Sequence, residues 1–250
     1  MNRPIGVFDS GLGGISVLKD AVRLMPQEQF IFCGDNRNAP YGVKTPEEIH
    51  GCVMNVVNSL LKKDIKALLI ACNTATAASA QLLREQLDIP VIGMEPALKP
   101  AHENRKDGQI LVLATPATLR MEKFSNLMQL YGEGAVPVEG YGIVECVEEG
   151  HIEDEKMLGV LHGLLDKHLQ RKTDAIVLGC THYSFIKNAL HIVAPGVPLF
   201  DGNQGTVRQL RRVLENRGLL RGEGEEGSVT LTTTGDASII LPRMKMLMRL

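Results

Sequence analysis

Compact apolar runs punctuate the chain at Ile5–Asp9, Phe30–Gly34, Ala67–Ala71, Val91–Gly93, Ile110–Ala114, Ala175–Gly179 and Val197–Phe200. Most are too continuously apolar to alternate, which predicts strands buried on both faces of a parallel sheet. Between them, apolar positions recur at helical spacing over Thr45–Lys63, Thr76–Leu87, Glu155–Leu169 and Gly205–Arg217. Pro46 directly after Thr45, followed by Glu47 and Glu48, predicts a helix start, because proline lacks an N–H that a first turn would leave unpaired and acidic side chains favour that end. Strands alternating with helices predict an open α/β sheet with right-handed crossovers. Near the end, Arg221–Gly227 predicts a flexible charged loop and Ser228–Thr234 a strand that returns to the first part of the chain. Leu241–Leu250, with Met and Leu between basic residues, predicts a packed terminal helix rather than a membrane-surface one.

Part of this pattern occurs twice. Ile5-Gly6-Val7-Phe8-Asp9-Ser10 is echoed by Ile110-Leu111-Val112-Leu113-Ala114-Thr115, and Ala67 through Thr74 by Ala175 through His182. Ser10 precedes Cys72 by 62 residues and Thr115 precedes Cys180 by 65. Buried strands resemble one another in composition, but order, spacing and a terminal cysteine agree together here. The expectation is a weak internal duplication: two similar α/β lobes, each a mostly parallel open sheet flanked by helices, with an active site in the cleft between them.

With 250 residues, 44% of them hydrophobic and 22% charged, the chain can bury either one α/β core or two smaller ones. A net charge of −2 gives no global attraction to nucleic acid or to an anionic membrane, so neither is an expected partner. No apolar run is long enough to cross a bilayer. The first strand begins too close to Met1 for a signal peptide, and a cytoplasmic location is expected. The five cysteines, Cys33, Cys52, Cys72, Cys146 and Cys180, include no C-x-x-C pair, and an odd count argues against a disulfide framework. The seven histidines fall into no H-E-x-x-H or Cys/His ligand spacing, so no metal is expected.

Candidate chemistry gathers at predicted strand ends, where open α/β sheets bind ligands. Asp9-Ser10-Gly11-Leu12-Gly13-Gly14 is a glycine-rich turn that matches neither a P-loop nor a dinucleotide fingerprint; a tight turn capped by Ser10 accounts for it equally well. Asp9, at a buried strand end, needs a partner. Cys72 precedes a predicted helix whose N-terminus favours thiolate over thiol, and Asn73 and Thr74 are suited to holding a carboxylate. Cys180 stands in the repeated context, with His182 two residues on and able to ease proton transfer. Each thiol alone reads equally as an inert buried cysteine. Two thiols in mirrored settings suit inversion of an α-carbon, in which one group removes a hydron from one face and its twin supplies one to the other. A Cys–His hydrolase using Cys180 and His182, made awkward by their adjacency, and a non-catalytic binder of acidic ligands remain as rivals.

The stretches Phe8–Gly14, Gly34–Gly42, Ala71–Ala75 and Gly179–Tyr183 resemble those of the glutamate racemases, in the aspartate/glutamate racemase superfamily. That resemblance implies cofactor-independent interconversion of L- and D-glutamate for peptidoglycan synthesis. It implies Cys72 and Cys180 as catalytic thiols, assisted by Asp9 and His182, with Asp9, Ser10, Tyr41, Gly42, Asn73, Thr74, Thr181 and His182 contacting the amino acid. Glu148 resembles a further assisting carboxylate, though a solvated surface glutamate fits it equally. Residues 1–95 plus 206–250 would form the first lobe and 96–205 the second, and a homodimer is implied. Cys33, Cys52 and Cys146 are expected to be buried and inert.

Overall fold

A computed structural model of the chain describes residues 2–222 and 224–249; Met1, Glu223 and Leu250, which the expected start, charged loop and terminal helix include, lie outside the described residues. In the first half, strands β1 (Ile5–Asp9), β2 (Gln29–Gly34), β3 (Ala67–Ile70) and β4 (Val91–Gly93) are joined through helices α1 (Ile15–Leu24), α2 (Pro46–Leu61) and α3 (Asn73–Gln86). The chain continues through α4 (Leu98–Glu103), β5 (Gln109–Ala114), α5 (Pro116–Arg120), α6 (Glu122–Tyr131), β6 (Ala135–Glu139), α7 (Ile143–Glu149), α8 (Glu155–Leu169) and β7 (Thr173–Leu178). A 3-10 helix, Thr181–Ile186, leads into α9 (Lys187–Val193), β8 (Leu199–Asp201), α10 (Asn203–Asn216), β9 (Ser228–Thr233) and α11 (Ala237–Arg249).

Two sheets result, with strand orders β4-β3-β1-β2-β9 and β6-β5-β7-β8, and every pairing is parallel. Reversing the second order gives β8-β7-β5-β6, the same arrangement as β4-β3-β1-β2. The duplicated stretches therefore occupy matching central strands. Each sheet separates two apolar layers, as the pleat requires. Ile5, Val7, Phe30, Phe32 and Leu69 pack with α1, α10 and α11 residues, whereas Phe8, Leu68 and Ile70 pack with α2 and α3 residues. In the second sheet Leu111, Leu113, Ile176 and Leu178 meet α7, α8 and α9, while Ile110, Val112, Ala175 and Val177 meet α4 and α6. Each Val, Leu, Ile or Phe among them, fully buried, contributes about 1.5–3 kcal/mol.

The helix start at Pro46 is as expected: Thr45 accepts from Glu48 N–H and the Glu48 carboxylate accepts from Thr45 N–H, a reciprocal cap. α3 begins three residues before the expected Thr76, because Cys72 itself is the N-cap. Ser10 caps nothing. α1 begins at Ile15 with Gly14 in the cap position and no side-chain cap bond. No compact apolar run marks β6, because Pro137 and half-exposed neighbours interrupt the pattern, and the strand lies at a sheet edge where proline is tolerated. β9 does return to the first sheet, beside β2. Cys33 and Cys146 are buried, but Cys52 is only partly so, since it lies off the fully buried stripe of α2.

Candidate active site

Both thiols sit where a central strand ends. Cys72 follows β3 and Cys180 follows β7, and they are 5% and 8% exposed respectively. The carboxyl end of β1 reaches toward both: Ser10 contacts Cys72, and Asp9 accepts from Thr181, the residue after Cys180. Cys72 Sγ is 3.4 Å from Ser10 Oγ and accepts from Ala75 N–H at 3.4 Å. The adjacent Asp9 carboxylate accepts from Gly11 N–H at 2.8 Å and, across the lobes, from the Thr181 hydroxyl at 3.1 Å. Cys180 Sγ lies 3.7 Å from His182 Nδ1, so the pair contact one another despite their adjacency in sequence. His182 Nε2 lies 2.7 Å from Glu148 Oε1 and 3.2 Å from Gly13 N. A carboxylate can only accept, so a proton on Nε2 is directed at Glu148, and in that tautomer Nε2 forgoes the bond that Gly13 N–H would otherwise donate to it. Glu148 is thus no solvated surface residue: it also accepts from Leu12 N–H at 2.6 Å and Asn36 Nδ2 at 3.1 Å.

The glycine-rich turn makes this contact between lobes feasible. A Cβ on Gly13 would fall 2.4 Å from His182 Nδ1 and Thr181 Oγ1, and one on Gly11 would fall 2.1 Å from Glu148 Oε1. Neither glycine has a positive φ. Their role here is close approach, not an unusual backbone.

Burial and nearby charges act strongly on Cys72 and on the groups around the site. Burial pushes the Cys72 thiol up to about 12, with the Asp9 charge adding to the effect and the Ser10 and Ala75 hydrogen bonds opposing it. The expected lowering by the helix N-terminus is present as the Ala75 bond, but desolvation outweighs it. Burial likewise raises the Asp9 carboxyl. For His182 burial pulls downward, yet the hydrogen bonds to Cys180 and Glu148 leave it well above its usual value. Burial works against ionised Glu148, but its bonds to His182, Leu12 and Asn36 hold it below the usual carboxylate range.

Of the other expected residues, Asn73 is 4% exposed and neither its Oδ1 nor its Nδ2 has a protein partner, an arrangement suited to a ligand. Thr74 Oγ1 joins Thr115 Oγ1 at 2.9 Å and Thr118 Oγ1 at 3.0 Å, a cluster of hydroxyls across the lobes. Thr115 and Thr118 carry no site motif of their own in the sequence, although Thr115 is the repeat partner of Ser10. The Tyr41 hydroxyl is engaged elsewhere, donating to Asp35 Oδ2 at 2.6 Å. Gly42 instead brings the backbone against Thr115, where a Cβ would come within 3.0 Å. A cavity of about 640 Å³ beside the threonines is lined by Lys44, Thr76, Ala117, Arg120 and Lys123 but by neither cysteine. Among the described residues, no three His, Cys, Asp or Glu side chains gather as a metal site would.

The pattern for the Asp/Glu/Hydantoin racemase family matches residues 5–210. The chain belongs to that family. A glutamate racemase of Clostridium acetobutylicum is 48% identical over 233 residues, covering 92% of this chain and 91% of its own. Two crystal structures share the fold. Glutamate racemase from Francisella tularensis subsp. tularensis SCHU S4 in complex with D-glutamate has TM-score 0.85 and 26% identity, covering 100% of this chain and 94% of its own. Escherichia coli glutamate racemase in complex with L-glutamate and the activator UDP-MurNAc-Ala has TM-score 0.87 and 28% identity, covering 98% and 95%. This racemase is accordingly an isomerase with the two-lobed fold of its relatives. No described helix is long and apolar enough to cross a membrane.

Proposed function

We propose that this racemase interconverts L- and D-glutamate without a cofactor, with Cys72 and Cys180 as paired acid and base. The observation that carries the reading is the placement of two buried thiols at equivalent strand ends, joined through the Ser10–Asp9 and Thr181 contacts in one seam of polar groups. In one direction the Cys180 thiolate takes the α-hydron, leaving the electron pair on the α-carbon, conjugated into the carboxylate. The Cys72 thiol then gives its hydron to the opposite face, and the roles reverse for the other enantiomer. Asp9 assists Cys72, and His182 with Glu148 assists Cys180. The unpartnered Asn73 amide, Ser10, Thr74, Thr181 and the Tyr41–Gly42 backbone would hold the two carboxylates and the amine. Cys72 and Cys180 are both buried, so in this reading the lobes part to admit a substrate.

The proposed lobes are residues 1–95 with 206–250, and 96–205. Packing supports this division: Val207, Leu210 and Leu214 of α10 join the first sheet's core, and Leu98 and Ala101 of α4 join the second's. Cytoplasmic supply of D-glutamate for peptidoglycan, by a homodimer, completes the reading. Relatives named for glutamate, and structures bound to each enantiomer, support the substrate.

The test is exchange of the α-hydrogen in deuterated water by purified protein with no cofactor added. L- and D-glutamate should both racemise with solvent deuterium incorporated, and aspartate should not. Racemisation of aspartate alone would replace the substrate. The Cys180–His182 contact also suits a thiol hydrolase, but that chemistry gives Cys72 no task. An acyl-enzyme trapped on Cys180, without α-hydrogen exchange, would favour it.

A further inference from the structure

Glu148 is gripped from outside the site by the last part of the chain, and the grip has a direction. The backbone N–H of Gly235 donates to Thr233 Oγ1 at 3.0 Å, which leaves the single Thr233 hydroxyl hydrogen for Asn36 Oδ1 at 2.8 Å. With its oxygen so occupied, Asn36 must turn its amide nitrogen to Glu148 Oε2. A donor there requires an acceptor, which an ionised carboxylate supplies. Arg243, on α11, takes a second hold: its Nη1 donates to the Glu148 carbonyl at 2.5 Å. That carbonyl lies in the last turn of α7, where helix carbonyls lack partners and a cation is favoured. α11 is fixed to the first lobe by buried Met244 and Leu247.

We propose that Arg243 and Asn36 are positioning residues for racemisation, holding Glu148 from the first lobe so that it orients His182 toward Cys180. The proposal rests on the two-thiol reading above. It makes the C-terminal strand and helix part of one half of the proton exchange. On the Cys72 side the assisting carboxylate is Asp9, which Gly11 N–H and the Thr181 hydroxyl hold instead.

The experiment compares the parent with Arg243→Met, Arg243→Lys and Asn36→Ala, with Lys245→Met on the exposed side of α11 as control. Initial rates are measured with each enantiomer of glutamate, α-protiated and α-deuterated, alongside melting temperature. Arg243→Met should lower kcat about tenfold in both directions, as small misplacements of catalytic groups do. The α-deuterium isotope effect should rise for only one enantiomer, the one whose hydron Cys180 removes. Asn36→Ala, which loosens Glu148 from a different side, should reproduce that asymmetry, and Arg243→Lys should recover most of the rate. Lys245→Met should match the parent. A general structural defect would instead alter both isotope effects alike or lower melting temperature without asymmetry, and either result would overturn the proposal. So would Arg243→Met and Asn36→Ala variants both within about twofold of the parent in every constant. If the parent itself exchanged no α-hydrogen of glutamate, the two-thiol reading would fall instead.

Discussion

The first lobe and the second share a strand order and place a cysteine at the same topological point, yet they surround it differently. Cys72 caps the 14-residue α3, accepts from Ala75 N–H and touches a serine. Cys180 precedes a six-residue 3-10 helix, has no cap bond and meets a histidine that is itself paired with Glu148. Duplicated backbone therefore repeats where a thiol stands, while side chains of its own lobe contact it and groups from the opposite lobe hold those side chains in place. The second half borrows the glycine-rich turn and Asn36 from the first. The first borrows Thr181 from the second to satisfy Asp9.

If the halves are unequal but both indispensable, removing either thiol should have the largest effect. Cys72→Ala and Cys180→Ala should each lower racemisation by about 10³-fold or more, in line with a positioned general acid or base. Loss of circular dichroism signal from L-glutamate measures this directly. A single-cysteine variant that racemises at the parent rate would dissolve the comparison. Replacing Cys180 by serine should leave slow exchange in one direction only, read as deuterium incorporation without racemisation.

The glycine contact gives a smaller and more mechanical test. Gly13→Ala must push Thr181 and His182 back, at a cost of about 1–3 kcal/mol and with weakened activity. Gly51 in α2 has open space around its missing side chain, so Gly51→Ala should instead stabilise by about 0.5–1 kcal/mol with activity unchanged. Chemical denaturation of both variants would sharpen or remove the claim that the turn exists for close approach.

Glutamine at position 148 offers the subtlest test, because its effect should depend on pH. His182 is raised in the fold above 6.5, so its contribution is full below that value and fades as pH climbs through the raised one. Glu148 is lowered below 4.5, so its contribution is present above that value and is lost as pH falls through the lowered one. Both act fully between about 4.5 and 6.5. Glu148→Gln should therefore destabilise most in that window, by about 2 kcal/mol, with the difference narrowing at alkaline pH. A pH-independent difference in melting temperature would mean that the pair contributes by shape alone.

Much of this architecture was legible in the chain. The buried strands, the proline-led start of α2 and the repeat relating Cys72 to Cys180 are local or periodic signals, and the backbone follows them. Less was legible at the boundaries and edges: Ser10 reads as a cap but turns to Cys72, and β6 hides behind Pro137. The fate of Glu148 was open, because a lone glutamate near a helix end carries no mark of its partners 112 and 136 residues away in sequence.

By itself, then, the sequence determined that two α/β units would each end a central strand in a thiol, since strand hydrophobicity and turn chemistry are properties of short segments. Only the tertiary structure decided that Glu148 would join the histidine beside Cys180, how far burial would outweigh a helix N-terminus at Cys72, and why three glycines had to stand where the lobes meet. Those outcomes depend on desolvation and on distances between groups remote along the chain, and neither exists until the two sheets are brought together.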